Sequence, residues 1–198
     1  LVGLESIVVT SHLLAYGRKI YDYLPGKEND YPKNLHHSAI VVKSLDIIPV
    51  EFIYRARLCG SLWVDYYSQG LENPYGIKLE PNLPLMYKFI PPIFTPTEKS
   101  DSEENPDPPL DRLQTYNKYP GPARVGRLVF QIGRRFLKRR GLEALDTKLE
   151  FGYDEDGMLT LADEVLTPDS SRFAGLEDIR EGENPPWRDK QIARDWAQ

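Results

Sequence analysis

The segment LDTKLEFG carries charged residues at alternate positions, namely Asp146, Lys148 and Glu150. Side chains alternate between the two faces of a β-strand, so these three would share one face. The residues between and beside them would share the other face: Leu145, Thr147, Leu149 and Phe151. The pattern predicts a strand with one face suited to chemistry and one face suited to a core.

The run DEDG after this strand predicts the turn of a β-hairpin. With a two-residue or four-residue turn, Asp163 falls on the polar face, opposite or diagonal to Lys148 and Glu150. Carboxylates held that closely repel each other unless a cation joins them, and oxygen ligands suit Mg²⁺ that carries phosphate. The crowding favours a site for metal and phosphate, and a surface ladder of ion pairs is the alternative.

The run TPDSSRF follows the second predicted strand directly. It supplies hydroxyls, a carboxylate and Arg172 in a loop that Pro168 stiffens. Loops at strand ends commonly bind anions, and an arginine can hold a phosphate or carboxylate through two hydrogen bonds. The segment predicts an anion site, although a helix N-cap turn with a solvated arginine would give the same pattern.

The elements that must position these residues follow from periodicity. Residues 39 to 58 predict two adjacent strands, and SLWVDYYSQGL predicts a short helix with Ser61 as its N-cap. Residues 72 to 122 are rich in proline and show almost no periodicity. A longer helix that ends at Gly141 is indicated by one apolar stripe: Val125, Leu128, Val129, Ile132 and Phe136. The run WRDKQIARDWAQ predicts the start of a last helix.

The composition is that of a globular domain, with 40% hydrophobic and 28% charged residues. The formal net charge of −5 disfavours nucleic acid as a partner, because phosphate backbones repel an acidic surface. The single cysteine, Cys59, favours a reducing compartment. No apolar run approaches the roughly 20 residues of a membrane span, so we expect a cytoplasmic protein with no membrane partner. Because the chain starts at Leu1, it is expected to be a fragment or an ordered part.

Three of these runs, DTKLEFG, DEVLTPDSSRF and DKQIARDW, resemble the phosphoribosylaminoimidazole-succinocarboxamide synthase (SAICAR synthetase) family. VVKSLDIIPVEFIYRARLCGSLW resembles the strand at the adenine edge in that family, together with its arginine and Gly-Ser turn. PPIFTPTEKSDSEEN resembles the family's IFTPSTK loop and the acidic stretch after it. The resemblance runs in order from about residue 40 to residue 196, and several long motifs in order are more specific than any single one.

The resemblance implies an α+β fold with two lobes, related to ATP-grasp and kinase-like enzymes. It implies that residues 1–43 are the remnant of an incomplete N-terminal lobe that carries the ATP lid, and that residues 44–198 form the main lobe. It also implies an ATP-dependent ligase that joins L-aspartate to carboxyaminoimidazole ribonucleotide (CAIR). The products would be SAICAR, ADP and phosphate, the pathway would be purine biosynthesis, and the cofactors would be ATP and Mg²⁺.

The resemblance also assigns roles to residues of this chain. Its catalytic residues would be Asp146, Lys148, Glu150 and Asp163, of which Glu150 and Asp163 would bind Mg²⁺ and the ATP phosphates. The ribonucleotide would be bound by Arg55, Ser61, Asp169, Ser171 and Arg172. The adenine edge would meet the backbone of Val41, Val42 and Lys43. L-Aspartate would be bound by Glu103, Glu104 and Asn105.

Two departures from the family keep other functions open. Only about forty residues precede the adenine-edge strand, where the family has a glycine-rich ATP lid, and Ser102 and Pro106 stand where the family has His and an apolar residue. One alternative is a small-metabolite kinase of the inositol phosphate kinase type, since DTKLEFG also resembles the Asp-x-Lys core of those enzymes. Another is a nucleotide-binding relative without catalysis. The oligomeric state is left open.

Overall fold

The computed structural model describes residues 9–69, 75–100, 107–190 and 192. Its strands are β1 Leu13–Tyr16, β2 Ile40–Val42, β3 Asp46–Ile47, β4 Val50–Arg57, β5 Lys88–Phe94, β6 Thr97–Glu98, β7 Leu142–Tyr153, β8 Leu159–Ala162 and β9 Ser171–Gly175. Its α-helices are α1 Leu35–Ser38, α2 Gly60–Gln69, α3 Arg112–Lys118 and α4 Pro120–Lys138. Two 3₁₀ helices cover Gly17–Asp22 and Glu28–Asp30. The mixed α+β class predicted from the sequence is confirmed.

The chain divides into two compact units, and the first consists of Leu1–Ile48 and Phe151–Asp163. Strands β1 and β2 pair antiparallel, and β3 pairs with the last residues of β7. The predicted hairpin turn is confirmed between β7 and β8, where the Asp154 amide donates to the carbonyl oxygen of Met158 at 3.2 Å. The Asp154 carboxylate also accepts from the Met158 amide at 2.9 Å.

The second unit consists of Pro49–Glu150 and Glu164–Gln198, and β4 lies at its centre. Strand β4 pairs antiparallel with β5, β6 and β7, and β9 pairs with the other edge of β7. Residues 39 to 58 therefore contain three strands where the sequence predicted two. On one face of β4 and β7, Phe52, Tyr54 and Leu149 are buried apolar residues, and the other face carries charged groups.

Helix α4 packs its smallest residues against β4. A Cβ at Gly126 would lie 2.8 Å from the Tyr54 ring, and the Tyr54 hydroxyl donates to the carbonyl oxygen of Ala123 at 2.7 Å. The predicted helix is confirmed, but its predicted apolar stripe is not the buried face. Ile132 is 44% exposed and Phe136 is 55% exposed. Periodicity located the helix but not its orientation, because small residues allow the closest approach to the sheet.

A buried ion cluster joins the C-terminal part of α4 to the sheet. The Glu143 carboxylate is 1% exposed and contacts Arg57 at 3.2 Å, Lys138 at 3.3 Å and Arg134. Burial alone would raise the pKa of Glu143, but the hydrogen bond from Arg134 and the three cations more than offset it and lower the pKa. The cluster therefore connects β4, α4 and β7 through one carboxylate.

Among the residues that the structure describes, no helix is long and apolar enough to cross a membrane.

We expect Glu143→Gln to lower the free energy of unfolding at pH 7 by about 3 kcal/mol, because it leaves buried cations uncompensated. The folded pKa of Glu143 lies below its ordinary value of about 4.5, so its contribution exists above that pH and is lost as the pH falls through the folded pKa. Urea unfolding from pH 7 to about pH 3 should thus show a flatter pH profile for the variant.

The control is Asp178→Asn, which removes an exposed pair with Arg188 at 3.4 Å and should change stability by less than about 1 kcal/mol. Equal pH profiles for wild type and Glu143→Gln would contradict this account of Glu143.

Candidate active site

A row of three charged residues crosses three strands of the second unit, and we call Arg55, Asp146 and Arg172 the arginine row. Asp146 Oδ2 accepts from Arg55 Nη1 at 3.0 Å and from Arg172 Nη1 at 2.7 Å. The side chain of Asp146 is only 6% exposed. The pairings Arg55 with Asp146 and Asp146 with Arg172 place all three on one face. Two guanidinium groups therefore share one buried carboxylate, and Asp65 and Asp189 add negative charge near Arg55 and Arg172, respectively.

Arg55 is held by neighbours on several sides. Its Nε donates to Thr95 Oγ1 at 2.9 Å, and its Nη2 donates to Ser61 Oγ at 2.9 Å. Ser61 lies inside α2, which begins at Gly60, so the predicted N-cap role of Ser61 is wrong: the Ser61 hydroxyl serves Arg55. Cys59 is fully buried, and burial, with the nearby Asp146 charge, raises the pKa of its thiol to about 12. The thiol is therefore protonated at neutral pH and is not a nucleophile.

Gly60 allows Arg172 to lie against the start of α2. Its φ is +60°, and a Cβ at this position would lie 2.5 Å from Arg172 Cζ. A larger residue would both strain the backbone and displace the guanidinium group. The close approach of Arg172 thus depends on a glycine at this position.

Beside the arginine row lies a chain of alternating charges formed by Glu51, Lys148, Glu150 and Lys99, which we call the lysine chain. Lys148 Nζ lies 2.7 Å from Glu51 Oε1 and 3.3 Å from Glu150 Oε1. Lys99 Nζ lies 2.6 Å from Glu150 Oε2. The two carboxylates are buried, whereas the two lysine side chains are 34% and 42% exposed. The predicted sharing of one face by Asp146, Lys148 and Glu150 is consistent with these contacts.

Lys148 is a fixed cation. Burial alone would lower its pKa, but the hydrogen bond and charge of Glu51, followed by those of Glu150, raise the pKa above the ordinary lysine value. The ammonium group is therefore charged at neutral pH and can stabilise negative charge, but it cannot act as a base. Lys148 also has a structural role, because it bridges two buried carboxylates.

Two neighbouring cavities open onto these residues, and all of their lining comes from the second unit. The larger has a volume of about 460 Å³ and is lined by both charged groups, including Glu51, Arg55, Ser61, Asp146, Lys148 and Arg172. The smaller has a volume of about 220 Å³. It shares four of these residues and adds Asp169, Ser171, Asp189 and Lys190. The volumes fit small polar ligands.

The predicted anion loop lies at these cavities. Ser171 is buried and its Oγ lies 2.7 Å from Thr147 Oγ1. Asp169 has a side chain that is 65% exposed and pairs with Lys190 at 3.0 Å. The Lys190 amide donates to the carbonyl oxygen of Pro168 at 3.1 Å, which fixes the loop backbone. The structure therefore brings Asp169, Ser171 and Arg172 to the same site as Asp146 and Lys148.

Other predicted site residues belong to the first unit or lie outside the described ranges. Asp163 follows the end of β8, is exposed and has a φ of +53°. Val41 and Val42 lie in β2, and the amide of Lys43 donates to the carbonyl oxygen of His12 at 2.8 Å. The roles of these residues stay predictions. Glu103, Glu104 and Asn105, which are predicted to bind aspartate, lie outside the described ranges, and their role also stays a prediction. Within the described ranges, no group of three or more His, Cys, Asp or Glu is placed to hold a metal ion.

The sequence analysis missed Glu51 and Lys99 as parts of the site. Glu51 is 6% exposed and also accepts from Thr97 Oγ1 at 2.8 Å. The alternation of Glu51, Ile53 and Arg55 along β4 was an available signal, since it places charge on the face of Arg55. Lys99 lies after a two-residue strand in a proline-rich segment, so no periodic pattern in the sequence indicated that it belongs to the site.

The fold and the site define a class of protein: an α+β protein with a charged cavity in which arginine side chains can bind an anionic small molecule. A family model described as SAICAR synthetase matches residues 4–198. The chain belongs to the SAICAR synthetase family, as its motifs indicated.

Similar proteins agree with this membership. The chain is 42% identical over 164 residues to the phosphoribosylaminoimidazole-succinocarboxamide synthase of Methylibium petroleiphilum. This match covers 81% of this chain and 54% of that protein. The chain is 40% identical over 186 residues to the synthase of the same name from Mannheimia succiniciproducens. This match covers 92% of this chain and 63% of that protein. The chain therefore spans between half and two thirds of the length of these relatives.

Solved structures show the same fold. The SAICAR synthase of Saccharomyces cerevisiae, solved in complex with SAICAR, is 32% identical and superimposes with a TM-score of 0.79. The match covers 95% of this chain and 63% of the yeast chain. The α+β architecture of the family is thus present across nearly the whole of this chain.

Gly60→Ala should weaken the binding of a phosphate-bearing ligand at the arginine row about tenfold, because displacement of Arg172 removes a charge-assisted hydrogen bond worth about 1.5 kcal/mol. Calorimetric titration measures the loss. Gly157→Ala is the matched control, since Gly157 has a φ of +74° but open space around its Cβ position. Both variants should lose about 1 to 2 kcal/mol of stability, and only Gly60→Ala should lose affinity. Equal affinities would refute the role of this close approach.

Proposed function

We propose that this chain carries the site of an ATP-dependent ligase that joins L-aspartate to CAIR and forms SAICAR, ADP and phosphate. The observation that carries the proposal is the meeting of the arginine row with Glu51 and Lys148 at one cavity, in a member of the SAICAR synthetase family. The yeast relative was solved with SAICAR, which supports a product of this class. The activity would be that of a carbon–nitrogen ligase in purine biosynthesis, and a cytoplasmic location stays a prediction.

The arginine row is proposed to bind the phosphate of the ribonucleotide. Arg55 and Arg172 both line the larger cavity, and Arg guanidinium groups match phosphate oxygens in geometry and charge. Ser61 and Ser171 would add hydroxyl groups, and Asp169 would accept from the ribose or the amino-imidazole side. Asp146 is then a positioning residue, because it holds both guanidinium groups in place.

The lysine chain is proposed to serve the chemical step. A carboxylate is a poor acyl donor because its leaving group would be oxide, so transfer of a phosphoryl group from ATP supplies a better leaving group. The amine of aspartate then attacks the acyl carbon and phosphate departs. Lys148 is permanently charged, so it would hold the CAIR carboxylate and stabilise the negative charge that develops on the phosphoryl oxygens.

Glu150 fits a role as a ligand to Mg²⁺. It is a buried carboxylate, which is a ligand type that Mg²⁺ prefers, and its two oxygens pair with Lys99 and Lys148. Bound Mg²⁺ would neutralise phosphate charge near Glu150. The family resemblance assigns Asp163 to the same ion, the backbone of Val41, Val42 and Lys43 to adenine, and Glu103, Glu104 and Asn105 to aspartate.

The finer description of the fold is proposed on the same basis. It comprises two lobes related to ATP-grasp and kinase-like enzymes, with residues 1–43 as part of an N-terminal lobe and residues 44–198 as the main lobe. The contact-based units divide the chain elsewhere, after residue 48 and around residues 151–163.

A second candidate is ligand binding without turnover. It is favoured by the altered acidic stretch, where Ser102 and Pro106 stand in place of the family's His and apolar residue. The kinase alternative would phosphorylate a small metabolite without using aspartate. These candidates differ in which substrates are needed for ADP to form.

Release of ADP by this chain should depend on CAIR and aspartate together. A coupled ADP assay, with ATP, CAIR or aspartate omitted in turn, measures this dependence, and SAICAR formation is followed in parallel. Release of ADP that persists without aspartate would indicate a kinase. Binding of CAIR with no ADP release under any condition would indicate a relative without catalysis.

We expect Lys148→Met to lower kcat by a factor of about 10² to 10³, because a cation at the developing charge is lost. Glu51 would retain Thr97 and Glu150 would retain Lys99, so the fold should survive with a loss of about 1 to 3 kcal/mol. Lys138→Met is the control, since Lys138 is 36% exposed and pairs with the buried Glu143. Unchanged kcat in Lys148→Met would contradict the assignment.

A further inference from the structure

We propose that Thr97 is a positioning residue: it orients Glu51, and Glu51 in turn holds the Lys148 ammonium group where that group can contact the carboxylate of the ligand. This inference rests on the proposed function, in which Lys148 holds the CAIR carboxylate. It gives a role to Thr97 and Glu51, to which the family resemblance assigned none. Both residues line the larger cavity together with Lys148.

The carboxylate of Glu51 is held at both of its oxygens. Oε1 accepts from Lys148 Nζ at 2.7 Å, and Oε2 accepts from Thr97 Oγ1 at 2.8 Å. The side chain of Glu51 is only 8% exposed, and Thr97 is buried as well. A buried carboxylate needs hydrogen-bond donors, because an unsatisfied buried oxygen is costly. The two contacts therefore fix one orientation of the Glu51 side chain.

Strand pairing brings the three residues together. Glu51 on β4 pairs directly with Thr97 on β6. Ile53 on β4 pairs with Lys148 on β7, so Glu51, two residues earlier, lies diagonal to Lys148 on the same face. Thr97 is β-branched, which restricts its χ1 angle and therefore the position of its hydroxyl oxygen. The short strand β6 thus supplies a rigid support for Glu51.

Lys148 depends on Glu51 for its position. A lysine ammonium group lies at the end of a flexible four-carbon stem, and the side chain of Lys148 is 34% exposed where it lines the cavity. Its contact with Glu150 is the longer one, at 3.3 Å. The shorter contact with Glu51 is therefore the one that determines where the positive charge lies.

Loss of the Thr97 hydroxyl acts on Lys148 without any change in charge. Glu51 Oε2 would lose its donor and turn towards the ammonium group of Lys148, which would move towards Glu51 and away from the ligand. A ligand carboxylate would then lose part of its contact with that ammonium group, whereas the rest of the ligand would bind as before. We expect the preference for a ligand that bears the carboxylate to fall about fivefold, which corresponds to roughly 1 kcal/mol.

Calorimetric titration without ATP tests the proposal, because it measures binding when no turnover can occur. Each protein is titrated with CAIR and with the same ribonucleotide lacking the carboxylate, and the ratio of the two affinities is compared. Thr97→Val, which has a similar shape but no hydroxyl, should lower this ratio about fivefold. Thr97→Ser keeps the hydroxyl and should stay within about twofold of wild type. Glu51→Asp, which keeps the charge but withdraws it from Lys148, should lower the ratio as well.

Thr115→Val is the matched control. Thr115 is a buried threonine of α3, and its hydroxyl donates to the carbonyl oxygen of Asp111 at 2.8 Å. This variant loses a hydroxyl contact of the same length, but its affinity ratio should match wild type.

A second control combines Thr97→Val with Lys148→Met. If Thr97 acts through Lys148, loss of its hydroxyl should not change the affinity ratio of Lys148→Met any further. Far-ultraviolet circular dichroism checks that each variant is folded.

The outcomes separate this inference from the proposed function. An unchanged ratio in both Thr97→Val and Glu51→Asp, with the wild-type preference for the carboxylate intact, would overturn the positioning role alone. An equal fall of the ratio in the Lys148→Met background would also overturn it, since the Thr97 hydroxyl would then act on the ligand directly. No preference for the carboxylate in wild type, or full preference in Lys148→Met, would overturn the proposed assignment of Lys148 itself, and the positioning role with it.

Discussion

The pairing of Asp146 with Arg55 and Arg172 is the interaction on which the rest of the site depends. A carboxylate that is 6% exposed is stable only because cations face it, and both cations come from neighbouring strands. A shift of one residue in either strand pairing would turn these side chains to the opposite face. The same three residues therefore fix the register of β4, β7 and β9 and set the electrostatic character of the cavity.

Strand β4 divides its two faces between stability and chemistry. Phe52 and Tyr54 pack on the side of α4, where Gly126 and Ala123 allow helix and strand to approach closely. The opposite face presents Glu51 and Arg55 to the cavity. A site built on a strand that is buried on both faces is held more rigidly than a site on loops alone. The loop that contributes Asp169 to the site is held in turn by the ion pair between Asp169 and Lys190.

The sequence predicted the local parts of this site because strand alternation is a short-range rule. The shared face of Asp146 and Lys148, the turn after β7 and the anion loop before Arg172 all follow from neighbours in the chain. The partners of those residues could not be predicted in this way. Glu51 and Lys99 come from other segments of the chain, and a pattern within one segment does not say which segments pair. The family resemblance supplied Arg55 and Ser61, whose joint position local periodicity could not give.

The orientation of α4 shows a different limit of sequence reasoning. An apolar stripe was visible, but the face against the sheet combines the buried Phe130 with Ala123 and Gly126, whose small size allows the close approach to β4. The prediction of Ser61 as an N-cap was wrong because its hydroxyl accepts a hydrogen bond from Arg55 and does not cap its own helix.

The wall of the larger cavity carries both signs of charge at different places. Arg55, Arg172 and Lys148 supply its cations, and its carboxylates are those of Glu51, Asp65, Asp107 and Asp146. An elongated ligand with an anionic head and a less charged opposite end would gain energy in one orientation and lose it in the reverse one. The cavity can therefore sort the direction in which a molecule enters before any side chain touches the atoms that react.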